Sequence, residues 1–156
     1  MASLLIVTDE VMSDLTNVPD LYVEETSDQY NGPWPVAMVR MDAGTWQYDT
    51  AVGFDGLPMR FGVHTINIRL LYPRKDLKRD LRKVAAIDNG LVNALMKGAT
   101  EAAGGDRFNG SIVGLGNLSS GGGAPIRYST GSYNLGGVDC IAIEYTMDVT
   151  VEEQIV

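Results

Sequence analysis

A chain of 156 residues, 45% of them hydrophobic, has enough apolar material for one globular domain with its own core. Its net charge of −8, from 12 basic and 20 acidic residues, argues against a general nucleic-acid binder, because that function normally needs a basic excess. The one cysteine, Cys140, excludes a disulfide framework within the chain, and no apolar run approaches the ~20 residues of a membrane span. We therefore expect a single domain over residues 1–156, held together without disulfides or metal.

The two signs of charge are unevenly distributed along the chain. Seven acidic residues lie in the first 28 positions, whereas six of the 12 basic residues lie between Arg74 and Lys83. A domain with this asymmetry can orient against a neighbour that carries the opposite pattern, including another copy of itself.

The N-terminal segment predicts short elements. Residues 8–15 fit a short helix, with Thr8 or Asp9 as its N-cap and Pro19 beyond its end. Residues 21–23 fit a brief strand before a polar stretch.

Two further strands precede the middle of the chain. Residues 36–41 fit a strand that is entered through Pro35, and residues 45–48 continue the extended chain after an interruption at Ala43-Gly44. Residues 62–72 alternate with a period of two, which indicates a strand with one face on a core. The core-facing side of this strand carries His64, Ile66, Ile68, Leu70 and Tyr72.

A long helix is predicted over about residues 76–97. Asp76 lies at its start, Gly98 is the expected C-terminal stop, and apolar residues recur at intervals of three or four. Gly90 inside the helix costs about 1 kcal/mol relative to Ala, so we expect a close contact or a kink there. The apolar stripe consists of Leu77, Leu81, Val84, Ile87, Leu91 and Leu95.

The C-terminal part combines a glycine-rich stretch with a long strand. Residues 111–115 and 126–129 fit two short extended pieces, and residues 116–125 between them fit a flexible loop. Residues 140–152 alternate so regularly that they predict a strand longer than the usual five or six residues. The fold class expected from these elements is α/β (α+β): a sheet with one long helix and one short N-terminal helix.

Residues that could carry chemistry lack the partners that catalysis needs. His64 lies on the apolar side of a strand, which favours a structural role, and Cys140 adjoins Asp139 rather than a base that would activate a thiolate. One His and one Cys far apart do not predict a metal site. The Gly121–123 run continues toward a strand rather than into a helix through Gly-Lys-Ser/Thr, so it predicts no phosphate-binding loop. We expect no catalytic residue and no cofactor.

Two segments are candidate protein interfaces. On a helix, the basic segment forms a positive face. We interpret this face as a solvated surface, an interface with an acidic partner, or a nucleic-acid contact. The lack of interleaved aromatic residues disfavours the nucleic-acid contact. The glycine-rich loop is a candidate for ordering on contact with a neighbour. The basic segment comprises Arg74, Lys75, Lys78, Arg79, Arg82 and Lys83, and the loop comprises Gly116, Asn117, Leu118, Ser119, Ser120, Gly121, Gly122 and Gly123.

The order of elements resembles a known family. The chain begins with a short helix, which is followed by a strand entered through Trp34-Pro35-Val36 and by the strand HTINIRLLYPR. The long helix KDLKRDLRKVAAIDNGLVNALMKG comes next, and the terminal strand DCIAIEYTMDVTVEE follows the glycine-rich stretch. This order is similar to that of the tail terminator (tail-completion) proteins at the head–tail junction of long-tailed bacteriophages. The resemblance covers most of the chain and rests on the pattern of elements rather than on an invariant motif.

The resemblance implies a structural role. It implies a mixed or antiparallel sheet with the helices on one face, and a ring, expected to be a hexamer, that caps the tail tube and meets the head-completion or connector protein. DNA would be only passing cargo in the lumen, and the location would be the head-proximal end of the virion tail. The alternatives are another head–tail junction or tail-tube subunit, or a small ligand-binding enzyme.

Overall fold

The computed structural model of the chain describes residues 3–26, 29–52, 58–100, 114–115 and 126–154. Within these ranges there are two α-helices, α1 (Ser3–Leu15) and α2 (Leu77–Thr100). A 3-10 turn, Arg74–Asp76, leads directly into α2. The strands in the same ranges are β1 (Tyr22–Glu25), β2 (Val36–Gly44), β3 (Gln47–Val52), β4 (Pro58–Pro73), β5 (Gly114–Leu115), β6 (Arg127–Leu135) and β7 (Val138–Gln154).

All described strands belong to one mixed sheet. Its order is β1-β2-β4-β7-β5, with β3 on the same side of β4 as β2 and β6 on the same side of β7 as β5. Only the β1–β2 pair is parallel among these strands; the other pairs are antiparallel. The predicted α+β fold class is therefore confirmed.

β4 and β7 form the centre of the sheet and are long because each pairs with two successive strands on its outer side. β2 pairs with the part of β4 from His64 to Leu71, and β3 pairs with the first residues of β4. The chain crosses from β2 to β3 at Thr45, whose carbonyl would lie 1.8 Å from a Cβ placed on Gly62. Glycine at this position therefore permits the close backbone approach that joins the two strands.

Both helices pack on one face of the sheet, as expected from the resemblance. They cover an apolar core to which α1, β2, β4, α2 and β7 all contribute, and burial of this surface is the main stabilising contribution to the fold. The fully buried members of this core include Val7, Val11, Leu15, Ile66, Ile68, Leu70, Leu91, Leu95 and Val149.

The opposite face of the sheet has a smaller apolar cluster at one end only. Tyr30 and Trp34, which precede β2, pack against it. The cluster consists of Val36, Met38, Leu71, Leu135, Cys140 and Ala142. Farther along this face, β4 carries Thr65, Asn67 and Arg69 opposite polar residues of β7.

The helix α1 begins earlier than its sequence pattern predicts. It starts at Ser3, so Thr8 and Asp9 lie within the helix rather than at its cap. The Thr8 hydroxyl instead donates a hydrogen bond to the carbonyl of Leu4 at 2.9 Å. Val7, Val11 and Leu15 at intervals of four form the buried stripe that fixes the helix on the sheet.

The helix predicted over about 76–97 spans Leu77–Thr100, and the expected stop at Gly98 is wrong because the helix includes that residue. The close contact expected at Gly90 is confirmed, since a Cβ there would lie 3.1 Å from Cγ1 of Val18. Leu81 departs from the predicted apolar stripe and is 60% exposed. Three residues before Val84, it lies about 60° around the helix, at the margin of the buried face.

The short extended piece predicted at 126–129 is the beginning of the longer strand β6, which forms a hairpin with β7. The two strands join through Gly136 and Gly137, both with positive φ, in a two-residue turn of the kind that suits the twist of a hairpin. The residue pair Gly-Gly between Leu135 and Val138 was the sequence signal for this hairpin.

Candidate assembly surfaces

The basic segment lies at one end of the sheet, where β4 ends and α2 begins. Arg74 and Lys75 belong to the 3-10 turn, and the other four basic residues lie in the first two turns of α2. All six side chains are exposed. The structure therefore brings the residues of this predicted surface together, as the sequence spacing indicates.

Among the described side chains, acidic partners are seen for Arg74 and Arg79. Arg74 Nε lies 3.1 Å from Asp139 Oδ2, and the same guanidinium donates to the hydroxyl of Ser132 on β6. Arg79 Nη2 lies 3.3 Å from Asp76 Oδ1. Because these pairs reduce the local positive charge, the segment is less uniformly basic than its sequence suggests.

The other four members of the segment, Lys75, Lys78, Arg82 and Lys83, form its exposed basic surface. Cations in the first turns of a helix oppose the macrodipole, which favours anions at the N-terminus by about 0.3–1 kcal/mol. This placement does not stabilise α2 locally, so it favours a role in contact with an acidic surface outside the helix.

A groove adjoins this basic surface. It has a volume of about 280 Å³ and is lined by Trp34, Tyr72, Asp76, Arg79 and Lys83, among others. The Trp34 ring meets that of Tyr30 edge-on, with 5.3 Å between the centroids. An aromatic wall beside cations is typical of the buried centre of protein interfaces.

The acidic end of the chain forms a separate surface. Residues 1–39 contain no Lys or Arg. Asp9 on α1, Asp20 in the following turn, and Glu24 and Glu25 on β1 are all exposed. β1 is the outermost strand at one side of the sheet, whereas Arg74 is bonded to β6 at the other side. The acidic residues of the N-terminal part and the cations of the basic segment therefore lie on different elements of the fold.

The glycine-rich loop predicted at 116–125, with its candidate contact residues 116–123, lies outside the described residues.

The only histidine, His64, lies where β2 gives way to β3. Its side chain is buried and packs on Trp46 with 4.4 Å between ring centroids, and Arg60 lies over the same indole at 4.1 Å. Burial, followed by the charge of Arg60, lowers the pKa of His64. Nε2 of this histidine has no hydrogen-bond partner among the described residues. This environment fits the predicted structural role.

Cys140 and Tyr145 are buried groups of β7. Burial, followed by the nearby charge of Asp139, raises the pKa of the Cys140 thiol, which disfavours the nucleophilic thiolate. The Tyr145 hydroxyl donates to Asp88 of α2, and burial together with this bond raises the pKa of Tyr145. This hydrogen bond from Tyr145 of β7 to Asp88 therefore connects α2 to the sheet.

No protein-family model matches the chain, and no curated protein matches its sequence. Among the described residues, no helix is long and apolar enough to cross a membrane, and no group of acidic, His or Cys side chains could hold a metal ion.

Proposed function

We propose that this protein is a structural virion subunit: a tail terminator that forms a ring at the head-proximal end of a long-tailed bacteriophage tail. The ring, a hexamer in this proposal, caps the tail tube and joins it to the head-completion or connector protein. Its role is non-catalytic and needs no cofactor, and DNA is only passing cargo in the lumen. The proposal rests on the order of elements in the sequence and on the surfaces of the folded chain.

The observation that carries the proposal is that this chain has an exposed basic surface and a separate exposed acidic surface. The exposed basic surface lies at the start of α2, and the acidic surface lies on α1, the following turn and β1. A patch that is complementary to a different patch on an identical copy supports head-to-tail contacts, which close into a ring when the rotation between copies allows it. A two-fold symmetric dimer through only one of these patches would instead place like charges against each other.

The first test reverses charge on the basic surface. The double variant Lys78→Glu with Arg82→Glu should lose assembly while its thermal stability stays close to that of the wild type, because both side chains are exposed. Light scattering and electron microscopy, with and without tail tubes of the same phage, measure the assembly. A ring seen by electron microscopy for the wild type is the expected result.

The matched control changes net charge equally elsewhere. The double variant Arg40→Glu with Lys97→Glu alters two exposed cations outside the basic surface and should assemble normally. Rescue of the first variant by a copy carrying Glu24→Lys and Glu25→Lys would support contact between the two surfaces. Normal assembly of the Lys78/Arg82 variant would remove the basic surface from the interface, and long tubes of the purified wild type would favour a tail-tube subunit instead.

A further inference from the structure

The outer edge of β6 has no strand partner among the described residues. β6 pairs with β7 in an unbroken register from Arg127 to Leu135, and no described strand pairs with its other side. Because the hairpin turn has two residues, Leu135 and Val138 form its closing hydrogen-bonded pair, and the alternation of an antiparallel ladder follows from there. The residues whose N–H and C=O groups point away from β7 are therefore Tyr128, Thr130, Ser132 and Asn134.

This edge lacks the features that normally prevent strand pairing. Natural edge strands are blunted by proline, lysine, bulges or short length. β6 has nine residues, no proline, no lysine and no register shift, and its first six residues are exposed. Tyr128 is 72% exposed, the most exposed of the large hydrophobic side chains described. A long exposed edge that carries an uncovered aromatic residue is typical of a site for strand addition.

The other side of the sheet ends in β1, which is acidic. Tyr22 N donates to the Pro35 carbonyl at 3.1 Å, so the backbone groups of Tyr22 face β2, and by alternation those of Val23 and Glu25 face outward. β1 carries Glu24 and Glu25 without a compensating cation. β6 begins with Arg127, which lies 3.5 Å from Asp148, and Arg74, which pairs with Asp139, donates to the hydroxyl of Ser132 on β6.

We infer that the outer edge of β6 binds the β1 edge of a second copy of this chain, so that the sheet continues from one subunit into the next. The inference rests on the proposed ring and names a contact within it. Backbone hydrogen bonds supply the pairing, and repulsion between the glutamates of two β1 strands disfavours pairing of β1 with another β1. Because the two edges differ, the contact is head-to-tail and leaves one edge of each kind free until the ring closes.

The test removes one outward donor from each edge separately. Thr130→Pro deletes an N–H that points away from β7, so the β6–β7 ladder remains intact and only the edge is blocked. Glu25→Pro does the same for β1. Each variant alone should stay monomeric by native mass spectrometry, with association at least about tenfold weaker than that of the wild type. An equimolar mixture should form a heterodimer, because the intact β1 of one variant fits the intact β6 of the other.

Thr130→Val is the matched control, since it keeps the N–H and the branched side chain, and it should assemble normally. If thermal unfolding shows that Thr130→Pro is unfolded, hydrogen exchange of the wild type decides instead. The amides of residues 128, 130, 132 and 134 should exchange slowly in the assembly and rapidly in the monomer. Unprotected amides overturn the inference.

The outcomes separate this inference from the proposed function. A ring formed by Thr130→Pro overturns the β6 contact and leaves the tail-terminator proposal intact. Dimers of Glu25→Pro alone would show that β6 pairs with another β6, which also overturns the inference. A wild type that remains monomeric both alone and on tail tubes overturns the inference and the proposed function together.

Discussion

The two faces of the sheet solve different physical problems. On the face covered by α1 and α2, the side chains of β4 are His64, Ile66, Ile68, Leu70 and Tyr72, all buried. On the opposite face the same strand carries Thr65, Asn67 and Arg69, whose neighbours on β7 are also polar. Thr65 Oγ1 donates to Asp148 at 2.7 Å, and Arg69 Nε donates to Glu144 at 2.7 Å.

This difference indicates that the covered face contributes more to the free energy of unfolding. The covered face excludes water by close packing, so each of its side chains depends on its neighbours. The open face satisfies its polar groups by cross-strand pairs that can exist in water, and such pairs contribute about 0.2–1 kcal/mol each. Substitutions should therefore have large effects in the core of the covered face and small effects in the exposed polar pairs of the open face.

The largest effect is expected from a matched pair of leucines on α2. Leu91 is fully buried and Leu81 is 60% exposed. Leu91→Ala should lower the free energy of unfolding by about 2–5 kcal/mol, because it leaves a cavity in the core. Leu81→Ala should change it by less than about 0.5 kcal/mol. Urea denaturation of both variants measures the difference. Equal destabilisation would mean that Leu81 is also packed in solution.

An intermediate effect is expected at the rim of the covered face when the pH is lowered. The pKa of His64 is lowered by burial and by Arg60, so below about pH 6.5 the unfolded chain takes up a proton that the folded chain does not. The stability due to neutral His64 is present above that pH and is lost as the pH falls through the lowered folded pKa. The free energy of unfolding should fall by up to about 1.4 kcal/mol per pH unit from this group.

The control for this pH effect is His64→Phe, which keeps an aromatic ring against Trp46 and removes the titration. The difference in unfolding free energy between the two proteins, followed from about pH 7 to pH 5 by urea denaturation, isolates the histidine from the carboxylates. Parallel pH profiles would show that His64 is not buried as a neutral group.

The smallest effect is expected on the open face. Glu144→Gln should cost about 1 kcal/mol, because Arg69 is only 14% exposed in its pair and also lies 4.3 Å over the Tyr133 ring. Asp42→Asn should cost less than about 0.3 kcal/mol, since its pair with Arg40 is 3.4 Å long and more than 40% exposed on both sides. Thermal unfolding at low and high salt compares them, and a loss above about 3 kcal/mol for Glu144→Gln would place that pair in the core.

Local patterns were sufficient to predict the two central strands, β4 and β7, and the position of α2. The period of two in β4 and β7 depends only on neighbours along the chain, so it predicts which side chains share a face. The start of α1 was missed because Leu4, Leu5, Ile6 and Val7 form a continuous apolar run in which no helical period is visible. The sequence predicts only the beginning of β6, because the following residues are mostly polar and small, and an exposed edge strand has no buried face that would give a periodic pattern.

The sequence by itself determined the α+β class, the two central strands and the clustering of the basic residues, because periodicity and charge are local properties. Only the tertiary structure decided that Leu81 lies outside the core, that Arg74 and Arg79 bind acidic partners, and that β1 and β6 lie at opposite sides of the sheet. These depend on which segments meet in space. Strand order and side-chain pairing between distant residues leave no signal in a single sequence, because many pairings satisfy the same local pattern.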